Sequence, residues 1–176
     1  MDIETNLQQP QSKTDALAIR DYVGRNPERM AELMGYFLGP DQKMAQKAAW
    51  AFMHIADANL DLVRPYTADL VYVLGKEVHV AVHRNGARIL AELDIPEELM
   101  GIAADHCFRL LMDPKVTVAV RVHAMTILWQ ICKKEPDLAP ELKLVLEDQL
   151  PHGSAGFKNR GQKILKAIQK MERERD

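Results

Sequence analysis

Val120-Arg121-Val122-His123-Ala124-Met125-Thr126-Ile127-Leu128-Trp129-Gln130-Ile131 sets a small residue, Ala124, three and four positions ahead of an apolar pair, Ile127-Leu128. A further apolar residue, Ile131, follows three positions on. That spacing is the seam of a single helix face. The same seam returns at 82–93 around Gly86 and Ile89-Leu90, and at 157–168 around Gly161 and Ile164-Leu165. A weaker copy occupies 45–56, around Ala49 and Phe52-Met53. Successive copies lie 37, 38 and 37 residues apart. A helix recurring at such a period is one half of a helix pair, and stacking the pairs buries a core that no single pair could close.

Working outward, the punctuation fits helix pairs. Residues 1–13 lack periodicity and read as a flexible tail, followed by a short capping helix over about 14–25. Asn26-Pro27-Glu28 opens a helix that stops at Gly39-Pro40, and Asp41 caps the next, over 42–57. The remaining pairs fall at 61–75 with 78–93, 97–112 with 115–134, and 138–150 with 154–172. Pro65, Pro96, Pro136 and Pro140 all lie near expected starts, where a missing N–H is harmless. The runs 78–82 and 116–120 alternate Val with other residues in strand fashion. Their equivalent in the first copy, Met44-Ala45-Gln46-Lys47-Ala48-Ala49, is helical in pattern, and no breaker separates either Val run from its seam, so helix is expected.

At 176 residues the chain can bury a real core, and with only 6% aromatic residues that core must be built mainly of Ala, Leu, Val, Ile and Met. Two cysteines make no disulfide framework and suit a reducing compartment, so a cytoplasmic location is expected. The polar N-terminus lacks the apolar run of a signal peptide, and no stretch approaches the roughly 18 apolar residues of a membrane span.

Asp113-Pro114 opening a second helix, then Val120-Arg121 with Ala124 three positions after the arginine, resembles the HEAT repeat of the armadillo-type α-solenoids. The resemblance covers about 27–172. It implies an all-α fold: a right-handed solenoid of about four HEAT-like helix pairs plus an N-terminal capping helix, in one domain over 14–176. The first helix of each pair would be convex and the second would line the concave side. At the Arg121 position the other copies carry Gln46, His83 and Lys158, so the Asp–Arg ladder typical of the family is incomplete.

The repeat register exposes a charge segregation that the net charge of −2 conceals. Counting the flanking Asp41, Asp94 and Asp137 with their helices, the four second helices sum to +8 and the four first helices to −7. Opposite the seam, the second helices carry Lys47 and His54, then Arg84 and Arg88, then Trp129 and Lys133, then Lys163, Lys166 and Lys170. A basic concave face with an aromatic can clamp an acidic protein or peptide, or neutralise phosphates and stack a base. The first of these is the preferred reading: a non-enzymatic protein-binding scaffold without a cofactor. The rival is a nucleic-acid-binding protein of the DNA alkylation-repair kind on the same surface. Both compete with an ordinary solvated helix face.

No catalytic pattern rises above this. His79 and His83 share a helix face at metal-ligand spacing, but no glutamate follows His79 and no third ligand is adjacent. Asp105-His106-Cys107 places a thiol beside an imidazole, yet neighbouring helix residues point about 100° apart. Gly153-Ser154-Ala155-Gly156 could offer N–H groups to an anion but lacks a phosphate loop's Lys-Ser/Thr ending, and Ser154 as a helix cap explains it more simply. Trp50 reads as packed at a helix junction, Trp129 as the more exposed. Enzymes with this repeat fold exist, notably alkylation-repair glycosylases and bilin lyases, and no catalytic motif of either is matched residue by residue.

Overall fold

The computed structural model describes residues 1–175. Every regular element among them is helical, and the Val-rich runs at 78–82 and 116–120 lead into helices. The chain divides into two compact units, Met1–Ile89 and Leu90–Asp176.

The first unit begins with α1 (Ile3–Gln8), where a tail was expected. Asp2 caps it by accepting from Thr5 N at 3.0 Å, and Ile3 and Leu7, one turn apart, are fully buried. Six residues with two apolar side chains are too few for a periodic signal, and so short a helix forms only through tertiary contact. α2 (Lys13–Val23) starts on a capping box between Ser12 and Asp15 and ends at Gly24, whose φ of 55° suits a residue without Cβ. α3 (Pro27–Phe37) has Asn26 accepting from Arg29 N at 2.9 Å, and α4 (Gln42–Ala58) has Asp41 accepting from Lys43 N and Met44 N. Both starts stand where the sequence signals put them.

The expected single helix at 61–75 is instead α5 (Leu60–Val63), a 3-10 turn at Arg64–Tyr66, and α6 (Thr67–Val73). Pro65 lies too far in to be harmless. It has no N–H to donate and its ring crowds the preceding turn, so the helix tightens there, and Thr67 Oγ1 donates to the Arg64 carbonyl at 2.7 Å. α7 (Val80–Leu90) follows. The core of this unit centres on Phe37 and Phe52, whose rings are 4.7 Å apart at 49°.

The second unit comprises α8 (Glu97–Met112), α9 (Val118–Lys134), α10 (Ala139–Gln149) and α11 (Ala155–Arg175). α8 packs along α9, and α10 and α11 pack on α9 and on each other. The small residue of the seam is tightly placed at Gly161, where a Cβ would sit 2.6 Å from Leu150 Cδ2, the end of a flexible side chain that would have to move. At Gly86 in the first unit it is not, since a Cβ there would meet Phe37, Leu70 and Val73 at 3.7–3.8 Å.

At two repeats, the residue in the Arg121 register position has a definite task. Arg121 Nε donates to the Leu111 carbonyl, near the end of α8, at 2.9 Å. His83 Nε2 does the same for Val73, the last residue of α6, at 3.2 Å. Both bond a helix-end carbonyl ten residues back, and that of Val73 also accepts from Lys76 N at 3.1 Å. The imidazole at 83 thus substitutes for the arginine at 121.

This substitution makes stability pH-dependent. Burial pushes the His83 pKa below its ordinary 6.5, against the opposing pull of the Val73 carbonyl. Burial likewise lowers that of His54. A histidine held neutral in the fold binds fewer protons folded than unfolded, so its contribution is complete above 6.5 and is lost as pH falls below that value. The urea midpoint is expected to fall between about pH 7.5 and 5.5, and His83→Gln to flatten that fall. A midpoint constant across the window would contradict the assignment.

Candidate functional site

In the first unit, α4 brings Lys47 and His54 and α7 brings Arg84 and Arg88. They do not form a free cationic face. Lys47 Nζ donates to the carbonyls of Leu7 at 2.7 Å and Gln9 at 2.5 Å, closing the end of α1. His54 is half-buried, its Nε2 is enclosed without a hydrogen-bond partner, and burial outweighs the nearby Asp57 carboxylate in setting its pKa, leaving it mainly neutral at pH 7. Ala51, between them on the same face, is fully buried. The cause is that α1 and α2 pack on α4 and cover the side that the register assigned to solvent. Arg88 Nη2 pairs with Asp57 Oδ1 at 2.7 Å. Only Arg84 is exposed and without an ion-pair partner among the described residues.

Beside these residues a cavity of about 420 Å³ opens between α4 and α7. Lys47, Trp50 and Met53 line it from α4, Arg84 and Asn85 from α7, and Gln11 from the α1–α2 connection. Trp50 is half-buried and faces this cavity, so its reading as a purely packed residue is incomplete. Asn85 is 4% exposed and donates from Nδ2 to the Ala49 carbonyl at 2.8 Å, tying α7 to α4. The sequence reading missed it. The available signal was a polar side chain immediately before the seam's small residue.

In the second unit, Trp129 is half-buried on α9 and Lys133 is exposed one turn further on. Lys133 borders an apolar cavity of about 300 Å³ with Leu93, Ile95, Met100 and Ile131. Its neighbour Lys134 is bonded to Asp94. On α11, Lys163, Lys166 and Lys170 are all exposed, and among the described residues only Lys170 has a carboxylate near it, Glu174 Oε1 at 3.8 Å.

A family model for the HEAT repeat domain matches residues 3–168. The chain belongs to the HEAT repeat family. The match begins at Ile3, the first residue of α1, and so takes in most of the segment that reads from sequence as a tail. No curated protein and no solved structure matches the chain.

The candidate chemical groups of this HEAT repeat protein have structural work. His79 Nδ1 accepts from Ala81 N at 3.1 Å, capping α7, while His83 holds the Val73 carbonyl. Cys107 is fully buried and its thiol pKa is pushed far up by burial, away from a nucleophilic thiolate. His106 Nδ1 lies 3.8 Å from Asp105, whose carboxylate pairs with Arg109 at 2.8 Å. Ser154 Oγ accepts from Phe157 N at 3.3 Å, the cap anticipated for α11. Among the described residues no helix is long and apolar enough to cross a membrane.

Proposed function

We propose that this HEAT repeat protein is a non-enzymatic scaffold whose second helices engage an acidic segment of a protein partner in the cytoplasm. The observation that carries this reading is the stripe Lys163, Lys166 and Lys170 on α11. These residues are exposed, and the first two have no ion-pair partner among the described residues. Like charges three and four positions apart repel, so helix stability does not account for them. Two other lysines of the same unit are paired, Lys143 with Glu172 at 3.0 Å and Lys134 with Asp94.

A nucleic-acid ligand is less well supported. Arg88 is committed to an internal partner, Asp57, and the chain's net charge is −2, so there is little long-range field to attract a polyanion. Affinity capture from nuclease-treated native lysate tests the reading. The wild-type protein is expected to retain a partner that Lys163→Glu/Lys166→Glu releases, with recovery reduced about tenfold or more for the loss of two interfacial cation contacts. Identical capture profiles for the two proteins would sink it.

A further inference from the structure

The cavity between α4 and α7 has a chemistry that the α11 stripe lacks. Lys47 and Arg84 occupy the same register position in adjacent repeats, and both line it. The corresponding residues further along are Val122 and Asn159, so the doubled cation occurs at this pair of helices alone. No acidic residue lines the cavity. Lys47 rests on two neutral carbonyls, with a third N–H left to give. Arg84 has no ion-pair partner among the described residues. Gln11 stands at the rim with both amide atoms buried and unpartnered, a cost of roughly 1–3 kcal/mol per group unless something satisfies them. The other wall is apolar and adaptable: the Trp50 indole and the Met53 thioether.

We propose that this cavity is a recognition pocket for a side-chain carboxylate carried next to an apolar residue in the partner's acidic segment. The proposal rests on the scaffold reading above and assigns that reading a specific site. The Arg84 guanidinium takes the carboxylate in its planar fork, and Lys47 adds a donor from the α4 side. The neighbouring apolar side chain packs on Trp50 and Met53. Two cations match one carboxylate bonded to both, and the cavity is large enough for an acidic and an apolar side chain together. A nucleic acid strand stacking a base on Trp50 is the competing occupant, and the test separates the two.

The probe is a fluorescein-labelled peptide of about ten residues alternating Glu and Leu, titrated into the intact protein. A Gln-for-Glu peptide and a single-stranded oligonucleotide serve as comparators. Binding is read by anisotropy, and occupancy of the pocket by the indole N–H resonance of Trp50, assigned with Trp50→Phe. The acidic peptide is expected to move that resonance, and Arg84→Gln to weaken binding about tenfold or more, the scale of one charge-assisted pair. Arg84 is exposed, so this variant keeps the fold, and Lys163→Glu is expected to leave the Trp50 shift in place. Peptide binding that is indifferent to Arg84→Gln, with a stationary Trp50 signal, overturns the pocket while leaving the scaffold reading intact. A Trp50 shift caused by the oligonucleotide and not by the peptide overturns both.

Discussion

Replacing Phe52 with alanine is expected to remove about 3–5 kcal/mol of stability, the usual cost of deleting a buried phenylalanine ring from a core that relaxes only in part. Phe52 is fully buried on α4 and its ring lies 4.7 Å from that of Phe37, in a tilted arrangement favoured by aromatic pairs. The chain has few aromatic residues, and the surrounding core is made largely of alanines: Ala45, Ala48, Ala49 and Ala51 on the same helix are all buried. Alanines cannot swing in to fill the space. With a typical domain held by only about 5–15 kcal/mol, the loss approaches the whole stability of the first unit. Urea denaturation followed by far-ultraviolet circular dichroism measures it. Phe52→Leu, which keeps most of the volume, is expected to cost about 1.5 kcal/mol or less. A midpoint for Phe52→Ala within error of wild type would contradict the packing.

The second large effect is at Arg121. Its guanidinium joins three elements of the second unit. Nε bonds to the Leu111 carbonyl at the end of α8, Nη2 bonds to Gln149 Oε1 on α10 at 2.7 Å, and Cζ lies 4.7 Å from the ring centre of Phe157 on α11. Arg121→Ala is expected to cost about 2–4 kcal/mol, combining charge-assisted hydrogen bonds with a cation–π contact. Arg121→Lys recovers only part, because an ammonium cannot reach two acceptors in the fork geometry while lying flat on a ring. Exposed Lys115, six residues earlier, serves as control, and its alanine variant is expected to stay within about 0.5 kcal/mol of wild type.

Arg121 also marks what the sequence made readable. The repeat seam and its flanking signals gave the second unit nearly residue by residue: Glu97–Met112 forms where Pro96, two early acids and Asp113-Pro114 bracket it. The equivalence of His83 to Arg121 was visible as a register position, and the shared bond to a helix-end carbonyl supplies its reason. The first unit was less legible because its structure depends on contacts remote in sequence. Nothing local to residues 1–13 announces that Ile3 and Leu7 will be buried, or that Lys47, some forty residues on, will close the helix between them. For the same reason the register failed for the outward face of α4. A helical wheel gives direction but not what lies there, and α1 and α2 lie there. On α11 no such cover is present among the described residues at Lys163, Lys166 and Lys170, which are exposed. Trp50 reads from sequence as simply packed because a wheel cannot distinguish a half-buried ring in a packed junction from one at the mouth of a cavity.

On the proposed function, the exposed cations of these second helices serve a protein partner. A side-by-side fluorescence-anisotropy titration of the intact protein near 50 mM salt tests it most directly, using the acidic Glu-Leu peptide, a single-stranded oligonucleotide and a duplex. The account predicts saturable binding of the peptide, weakened by Lys163→Glu/Lys166→Glu, and no detectable binding of either nucleic acid. Tight oligonucleotide binding whose log K falls by about 0.9 per phosphate neutralised on the duplex, with no response to the peptide, would contradict it.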